Sequence, residues 1–230
     1  MKIAVITPYR NEDAGILTRC HKSVLNQTYT NFVHVMVADG NPHPMINKWL
    51  DNEHIILPQA HDDAGATPRA IAAISAFSRG YDAVSFLDAD NTYQLNHLET
   101  MVSTIGQNDV VSATRNICST QGNFLYTDVI ESDGNLFCDT NCLFLKKSTI
   151  HLMTHWVTNP SFKLWSDRQF WSSIINSNCK RVHCSEPTVN YHSRWAWHYQ
   201  QAGLVPPADS VWIDSLANGT LVHKKHLDVI

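Results

Sequence analysis

The sequence predicts an α/β protein in which a sheet is flanked by helices, with a small extension at the C-terminus. Short apolar runs at residues 3–7 and 83–87 have the β-branched and aromatic composition of buried strands. Segments with helical periodicity lie between such runs. A chain of 230 residues is long enough for one domain, or one domain with a small lobe, around a full core.

In the first half of the chain, strands and helices alternate. After the strand at 3–7, a helix is indicated by apolar residues at helical spacing, namely Ile16, Leu17, Cys20, Val24 and Leu25. Further strands are expected at 32–38 and 54–57. The next helix is expected to begin with Thr67 as its N-cap and Pro68 as its first residue, because both types favour those positions.

The second half is less regular. Strands are expected at 109–113 and 136–147, a helix at 148–155, another helix from about residue 166, and a last strand before His192. Beyond residue 192, Asn218-Gly219 between apolar runs is typical of a hairpin turn. These 38 or so final residues are expected to form a lid, a dimer element or a membrane-facing flap, and the sequence leaves the three alternatives open.

Composition excludes some classes of function. A net charge of −4 gives no basic footprint for a nucleic acid. No apolar run approaches the ~20 residues that span a bilayer, and the first residues form a strand instead of a signal peptide. The six cysteines are scattered, so we expect reduced thiols in a cytoplasmic protein.

The strand at 83–87 ends in Asp88-Ala89-Asp90. The carboxyl end of a strand in an open α/β sheet faces the ligand crevice. Two carboxylates there repel each other, and a divalent cation relieves the repulsion. Oxygen ligands suit Mn²⁺ or Mg²⁺, which keep positions open for phosphates. The alternative is that one aspartate only caps the following helix.

The segment SVLNQTYTNFVHVMVADGN, residues 23–41, together with Asp88-Ala89-Asp90, resembles family-2 glycosyltransferases with the GT-A fold. The resemblance covers about residues 2–192. It implies a Rossmann-like mixed sheet, with a nucleotide-binding half at about 1–115 and an acceptor half at 116–192, followed by the extension at 193–230. In the family, the second strand ends in Asp-Asp-Gly-Ser. Here Ala38 replaces the first aspartate and Asn41 replaces the serine, while Asp39 is retained.

The resemblance implies which residues bind the donor. The nucleoside pocket is expected to comprise Thr7, Pro8, Tyr9 and Asp39, where Asp39 accepts a hydrogen bond from the base and Tyr9 stacks on the base or packs under it. Further donor contacts are expected from Arg69, Asp88 and Ala89. Alternatives remain, since Asp39 also suits a turn before Gly40 and Arg69 also suits a solvated helix position.

The resemblance also implies a catalytic base and a metal shell. Asp167 aligns with the aspartate of the family's Glu-Asp pair, although Ser166 replaces the glutamate. Asp167 is equally typical of a helix N-terminus. The metal is expected at Asp90, with Asp88 and His192 assisting, the latter as a neutral imidazole. A structural role for His192 is the alternative.

The implied activity is metal-dependent, inverting transfer of a sugar from a UDP- or GDP-type donor to a hydroxyl of a carbohydrate or lipid-linked acceptor, in glycan or polysaccharide assembly. Peripheral association with the inner face of a membrane is a further hypothesis. A sugar nucleotidyltransferase is an alternative, but it needs a basic, glycine-rich loop after the first strand, and PYRNEDAG has one arginine. A non-catalytic sugar- or nucleotide-binding module on the same fold is another alternative.

Overall fold

The computed structural model describes residues 1–157, 165–217 and 220–224. For residues 213–217 and 220–224 it describes the backbone only. The strands are β1 (Ile3–Tyr9), β2 (Phe32–Asp39), β3 (Asn52–Leu57), β4 (Ala83–Phe86), β5 (Thr92–Tyr93), β6 (Val110–Cys118), β7 (Phe124–Asp128), β8 (Leu143–Lys146), β9 (Arg181–His192), β10 (Trp212–Ala217) and β11 (Thr220–Lys224). The α-helices are α1 (Ala14–Leu25), α2 (Ala66–Ser78), α3 (His97–Ile105), α4 (Ser166–Ile175) and α5 (Ala196–Gln201). Three 3-10 helices span Ile46–Lys48, Thr140–Cys142 and Lys147–Trp156.

In the described part of the chain, nine strands form one mixed sheet in the order β3-β2-β1-β4-β8-β6-β9-β5, and β7 pairs with β6 outside this path. Strands β3, β2, β1 and β4 are parallel to one another. Strand β8 is antiparallel to both β4 and β6, and it joins the parallel half to the rest. The predicted mixed sheet flanked by helices is therefore confirmed.

The register of the parallel half brings three strand ends to one edge. Tyr9 at the end of β1 lies opposite Ala38, one residue before the end of β2, and Ile6 lies opposite Phe86 at the end of β4. Because parallel strands share one direction, the residues after β4 emerge beside the ends of β1 and β2. Ligands of open α/β sheets bind at such carboxyl ends.

The core fills both faces of this sheet. All seven residues of β1 are buried, which is the pattern of a parallel strand covered on both sides. Where the 3-10 helix Lys147–Trp156 meets α4, the ring of Trp156 stacks on Phe170 of α4 with 4.1 Å between the ring centroids. Aromatic pairs of this size contribute about 1 kcal/mol beyond the area that they bury. This contact stabilises the packing of α4, which carries Asp167, against the 3-10 helix Lys147–Trp156.

Two local predictions were wrong, and the structure refines a third. Helix α2 begins at Ala66 after Gly65, and Thr67 is not its N-cap because the Asp63 carboxylate accepts from the Thr67 backbone N–H at 2.9 Å. The segment 136–147 holds a strand only at Leu143–Lys146, since a 3-10 turn precedes it. The helix expected at 148–155 is a 3-10 helix.

The C-terminal extension contains α5 and the antiparallel pair β10 and β11, in which Ala217 lies opposite Thr220. The predicted hairpin is confirmed, although its turn residues, Asn218 and Gly219, lie outside the described residues. None of the helices that the structure describes has the length and hydropathy needed to cross a membrane.

Candidate active site

A first cleft of about 290 Å³ opens at the carboxyl ends of β1, β2 and β4. Its walls contain six carboxylates and two arginines, together with small and aromatic side chains from the loops after these strands. The lining residues are Pro8, Tyr9, Arg10, Glu12, Asp39, Asp62, Asp63, Ala64, Gly65, Arg69, Asp88, Ala89 and Asp90. Six of the seven residues predicted to bind the donor line this cleft, namely Pro8, Tyr9, Asp39, Arg69, Asp88 and Ala89.

The seventh, Thr7, lies below the cleft. Its side chain is fully buried and its hydroxyl shares a hydrogen bond of 2.8 Å with Nε2 of His34. Tyr9 is also buried under the cleft, and its hydroxyl bonds Nε2 of His54 at 2.7 Å. Of the two expectations for Tyr9, packing under a bound base fits this position better than stacking over it.

The Asp39 carboxylate is buried and already holds protein donors. It accepts from the backbone N–H of His61 at 3.0 Å, from Nδ1 of His61 at 2.8 Å and from the backbone N–H of Asp62 at 3.3 Å. These bonds tie the loop after β3 to the end of β2. Recognition of a base by Asp39 therefore requires one of its remaining lone pairs, and its predicted role stays a prediction.

The tied loop has an unusual backbone. Asp62 and Ala64 adopt left-handed φ angles of 54° and 55°, which are uncommon for residues other than glycine. Gly65 follows at φ 80°, and a Cβ there would lie 2.9 Å from Cγ of Pro8. Such strain persists where the surroundings enforce it, and it clusters at functional sites. The loop thereby brings Asp62 and Asp63 to the cleft wall.

Asp88 is held from both sides. Its Oδ1 accepts from Nη2 of Arg69, and its Oδ2 accepts from Nδ2 of Asn141 at 2.9 Å. Arg69 is itself fixed, since Nη1 donates to the carbonyl of Ala64 at 2.8 Å and its guanidinium lies over the ring of Trp156. In this arrangement Arg69 positions Asp88, and its predicted pyrophosphate contact stays a prediction.

Asp90 differs from Asp88 in its electrostatics. Burial, and then the charges of Asp88 and Glu12, raise the pKa of Asp90 to about 7. Burial and like charge both disfavour ionisation. Arg19 acts in the opposite direction, but the negative charges raise the pKa overall, and a carboxylate in such surroundings is chemically suited to a divalent cation. Asp88 is less free than Asp90 to bind a cation, because each of its carboxylate oxygens already accepts a hydrogen bond.

His192 lies at the end of β9. Its Nε2 is 3.2 Å from the Thr92 hydroxyl, and its buried Nδ1 has no hydrogen-bond partner among the described residues. Burial, with the charge of Arg19, lowers the pKa of His192 to about 4, so the ring is neutral at pH 7. The described residues hold no cluster of three or more His, Cys, Asp or Glu suited to a metal. A cation at Asp90 would need oxygens from water or ligand, as Mn²⁺ and Mg²⁺ often have.

A second cleft of about 350 Å³ lies beside α4 and α5. Four tryptophans, a tyrosine and a phenylalanine give it an aromatic character that the first cleft lacks. The lining residues are Arg115, Glu131, Phe137, Asp139, Trp165, Asp167, Arg168, Tyr191, Trp195, Ala196, Trp197, His198, Gln200 and Trp212. Asp167, the predicted base, belongs to this cleft.

Asp167 lies in the first turn of α4, where its Oδ1 accepts from the backbone N–H of Arg168 at 2.7 Å. Burial, and then the charge of Asp139, raise the pKa of Asp167 to about 6, while Arg168 and Arg69 act in the opposite direction. The charges of Arg69 and Asp139 both act on Asp167. Arg69 lines the first cleft and Asp139 lines the second, so Asp167 is within electrostatic reach of both clefts. A carboxylate with this pKa is ionised at pH 7 and can accept a proton.

The floor of the second cleft is an ion cluster around Arg115, which is buried in β6. Its guanidinium donates to Asp139 at 2.6 Å, to Asp128 at 2.9 Å and to Glu131 at 3.2 Å. Burial alone would lower the pKa of Arg115, but Asp139, Tyr191 and Asp128 raise it overall. Glu131 also accepts from Arg168 at 3.0 Å, so the cluster reaches the residue beside Asp167.

Several site residues were not predicted. Arg10 and Glu12 line the first cleft. Their position in the loop that follows the carboxyl end of β1 is the sequence feature that could have indicated this. For Asp139 and Asn141, the sequence alone is equally compatible with a position facing the sugar and with a turn. Asp139 lines the second cleft and holds Arg115, whereas Asn141 is buried and contacts Asp88. No sequence spacing indicates these long-range contacts.

The sequence and the fold of this chain are both similar to those of known proteins. The model of the family Glycosyl transferase family 2 matches residues 4–165, well over half of the chain, and ends just before Asp167. An uncharacterized glycosyltransferase of Nostoc sp. is 30% identical over 194 residues, which cover 73% of this chain and 57% of that protein. Succinoglycan biosynthesis protein ExoW of Rhizobium meliloti is 29% identical over 104 residues, which cover 42% of this chain and 32% of that protein.

Among solved structures, TarS 1-349 of S. aureus in complex with UDP matches with a TM-score of 0.65 and 17% identity, covering 88% of this chain and 63% of that chain. At this identity the likeness concerns the fold. The chain spans less than two thirds of these relatives' lengths. Because the family model matches well over half of the chain, and the fold is consistent with that match, the chain belongs to glycosyl transferase family 2.

Proposed function

We propose that this chain is a metal-dependent, inverting glycosyltransferase that moves a sugar from a UDP- or GDP-type donor to an acceptor hydroxyl in glycan or polysaccharide assembly. The observation that carries the proposal is the position of Asp167. This carboxylate lines an aromatic cleft and is within electrostatic reach of Arg69 in the adjoining acidic cleft. A transferase needs such a base between a donor site and an acceptor site.

The first cleft is the donor site in this proposal. Pro8, Tyr9 and Asp39 lie on the side of β1 and β2, where the nucleoside would bind, and Asp88 and Asp90 lie on the side of β4, where the diphosphate would bind. TarS, which shares the fold, has been crystallised with UDP and with UDP-GlcNAc. This favours a uridine donor, and guanosine remains the second candidate.

A bound Mn²⁺ or Mg²⁺ would supply Lewis-acid stabilisation of the leaving diphosphate. Asp90 would hold the cation with Asp88, which lines the same cleft, and His192, which is outside the cleft lining, is a further candidate. The raised pKa of Asp90 supports this role, because burial and then the negative charges of Asp88 and Glu12 disfavour its ionisation, and a cation would relieve both effects. Arg69 and Asn141 keep the Asp88 carboxylate oriented towards the same cleft.

Asp167 would take the proton of the acceptor hydroxyl as the hydroxyl oxygen attacks the anomeric carbon. The bond from that carbon to the diphosphate oxygen breaks, and its electron pair leaves with the diphosphate. A base on the face opposite the leaving group gives inversion at the anomeric carbon. This stereochemistry rests on the family resemblance.

The second cleft is the acceptor site in this proposal. Tryptophan and tyrosine faces suit the apolar faces of sugar rings, and Glu131, Arg168 and Gln200 offer polar contacts at the same wall. The relative ExoW is a succinoglycan biosynthesis protein, which favours a carbohydrate acceptor in polysaccharide assembly. A lipid-linked acceptor would bring the chain to a membrane surface, and failure to float with liposomes would count against that extension.

Turnover tests the proposal against a binding module with the same fold. The purified chain is incubated with UDP-sugars and GDP-sugars, with Mn²⁺ or with a chelator, and with oligosaccharide acceptors. Release of nucleoside diphosphate together with an elongated acceptor is expected only with metal. Nucleotide binding without any product, across all donors and acceptors, would favour the non-catalytic alternative.

A further inference from the structure

We infer that Asn141 is a positioning residue that fixes the Asp88 carboxylate in the first cleft by tying it to the wall of the second cleft. The inference rests on the proposed function, in which Asp88 belongs to the donor site. Asn141 lies in the 3-10 helix Thr140–Cys142, is fully buried and lines neither cleft. It therefore acts only through its neighbours.

Three hydrogen bonds determine the orientation of the Asn141 amide. Its Oδ1 accepts from the backbone N–H of Asp88 at 2.6 Å. Its Nδ2 donates to Oδ2 of Asp88 at 2.9 Å and to Oδ1 of Asp139 at 2.6 Å. An amide supplies both the acceptor and the two donors, whereas an ionised carboxylate at this position would have no donor for Asp88 or Asp139.

Asp139 anchors this amide to a rigid part of the sheet. Its Oδ2 accepts from Nη1 of Arg115 at 2.6 Å, and Arg115 is held in turn by Asp128. Both Arg115 and Asp128 are almost completely buried. The path from Asp88 through Asn141 and Asp139 to Arg115 consists of short contacts between side chains that have little freedom to move.

The path gives Asn141 a specific effect on donor binding. With Arg69 on Oδ1 and Asn141 on Oδ2, the Asp88 carboxylate has a fixed direction. Partners that orient a ligand group of a metal site typically matter by about 10- to 100-fold in metal affinity or activity. Loss of Asn141 should therefore weaken the response to Mn²⁺ without weakening a contact to the nucleoside.

The test is a Mn²⁺ titration at a fixed, saturating concentration of whichever nucleotide, UDP or GDP, shifts the wild type, followed by thermal unfolding of the wild type, Asn141→Ala and Asn141→Ser. The serine variant retains a hydroxyl but is too short to bridge Asp88 and Asp139, and it serves if the alanine variant does not fold. Asn116→Ala is the matched control, because Asn116 is a partly buried asparagine bonded to Thr127 and lines neither cleft.

We expect the half-saturating Mn²⁺ concentration to rise about 10- to 100-fold in the Asn141 variants and to stay unchanged in Asn116→Ala. A purely structural asparagine would lower the Tm without ligand but leave that concentration unchanged, and this outcome would overturn the inference. A wild type that shows no Mn²⁺-dependent shift with UDP or GDP would instead overturn the proposed donor site, and the inference with it.

Discussion

The two clefts differ in composition and in how they are built. The first is acidic, and strand ends together with the loops that follow them supply its walls. The second is aromatic, and its walls come from β6, β9, α4, α5, β10 and the segment between β7 and β8. Each contains an aspartate with a raised pKa, Asp90 in the first and Asp167 in the second.

The causes of these two shifts separate two kinds of chemistry. Burial is the largest cause for both. Two further carboxylates add to the shift of Asp90 and one arginine, Arg19, opposes it, whereas one carboxylate adds to the shift of Asp167 and two arginines oppose it. A carboxylate among carboxylates suits a cation. A carboxylate partly balanced by arginines keeps its charge at pH 7 and suits proton transfer. The comparison supports the proposal that the first cleft binds the metal and that the second supplies the base.

The largest expected effect concerns Asp167. Asp167→Asn removes the proton acceptor, so kcat should fall by roughly 10²- to 10⁴-fold. Because Asp167 lies outside the first cleft, the dissociation constant for UDP with Mn²⁺ should remain that of the wild type. Calorimetric titration and a nucleotide-release assay measure the two quantities. An active Asp167→Asn would show that the base is another group.

The ion cluster under the second cleft gives the next effect. Arg115→Met leaves Asp128 and Asp139 buried without their cation, and we expect a loss of about 3–5 kcal/mol in the free energy of unfolding. Arg168→Met is the matched control, since Arg168 is partly exposed and its pair with Glu131 is worth at most about 1 kcal/mol. Urea denaturation of both variants tests this, and equal losses would contradict the cluster's role.

Asp90 tests the first cleft. UDP at 100 times its dissociation constant should stabilise the wild type by about 2.7 kcal/mol when Mn²⁺ is present. Asp90→Asn should abolish most of this gain, because it removes the ligand best suited to the cation. Asp51→Asn, at an exposed carboxylate outside both clefts, should retain it. If Asp90→Asn kept the full stabilisation by UDP and Mn²⁺, the metal would have to bind at another residue.

The pH dependence should follow Asp167. As a base it must be ionised, so kcat/KM should rise with pH through about 6 and then level off, falling about tenfold for each pH unit below that value. The measurement is made at saturating Mn²⁺, which in the proposed donor site would keep Asp90 ionised. A flat profile between pH 5 and 7 would remove Asp167 from the rate-limiting proton transfer.

The smallest effect concerns the rim of the first cleft. Arg10 pairs with Asp62 at 2.7 Å, and their side chains are 41% and 69% exposed. Arg10→Ala should change the free energy of unfolding by no more than about 1 kcal/mol. A larger loss in thermal unfolding would mean that this pair holds the left-handed loop at 62–64 in place.

The contrast between the clefts also explains how far the sequence predicts this molecule. Asp39, Asp88 and Asp90 follow apolar strands, so periodicity locates them and the shared direction of parallel strands brings them together. The contact between Asn141 and Asp88 joins residues far apart in the chain, and it depends on a 3-10 turn in a segment predicted as a strand. Similarly, the N-cap of α2 is Gly65 and not the predicted Thr67. The carboxylate of Asp63, four residues before Thr67, accepts a hydrogen bond from the Thr67 backbone N–H, and this contact could not be predicted from the sequence.

The most direct test of the account is the Tm of the wild type with UDP and with GDP, each in the presence and absence of Mn²⁺. A ligand that binds only the folded state raises its Tm. We expect a rise with one nucleotide that depends on Mn²⁺, which would identify the donor class and the acidic cleft as its site. No rise with either nucleotide would contradict the assignment of the first cleft to a metal-bound donor.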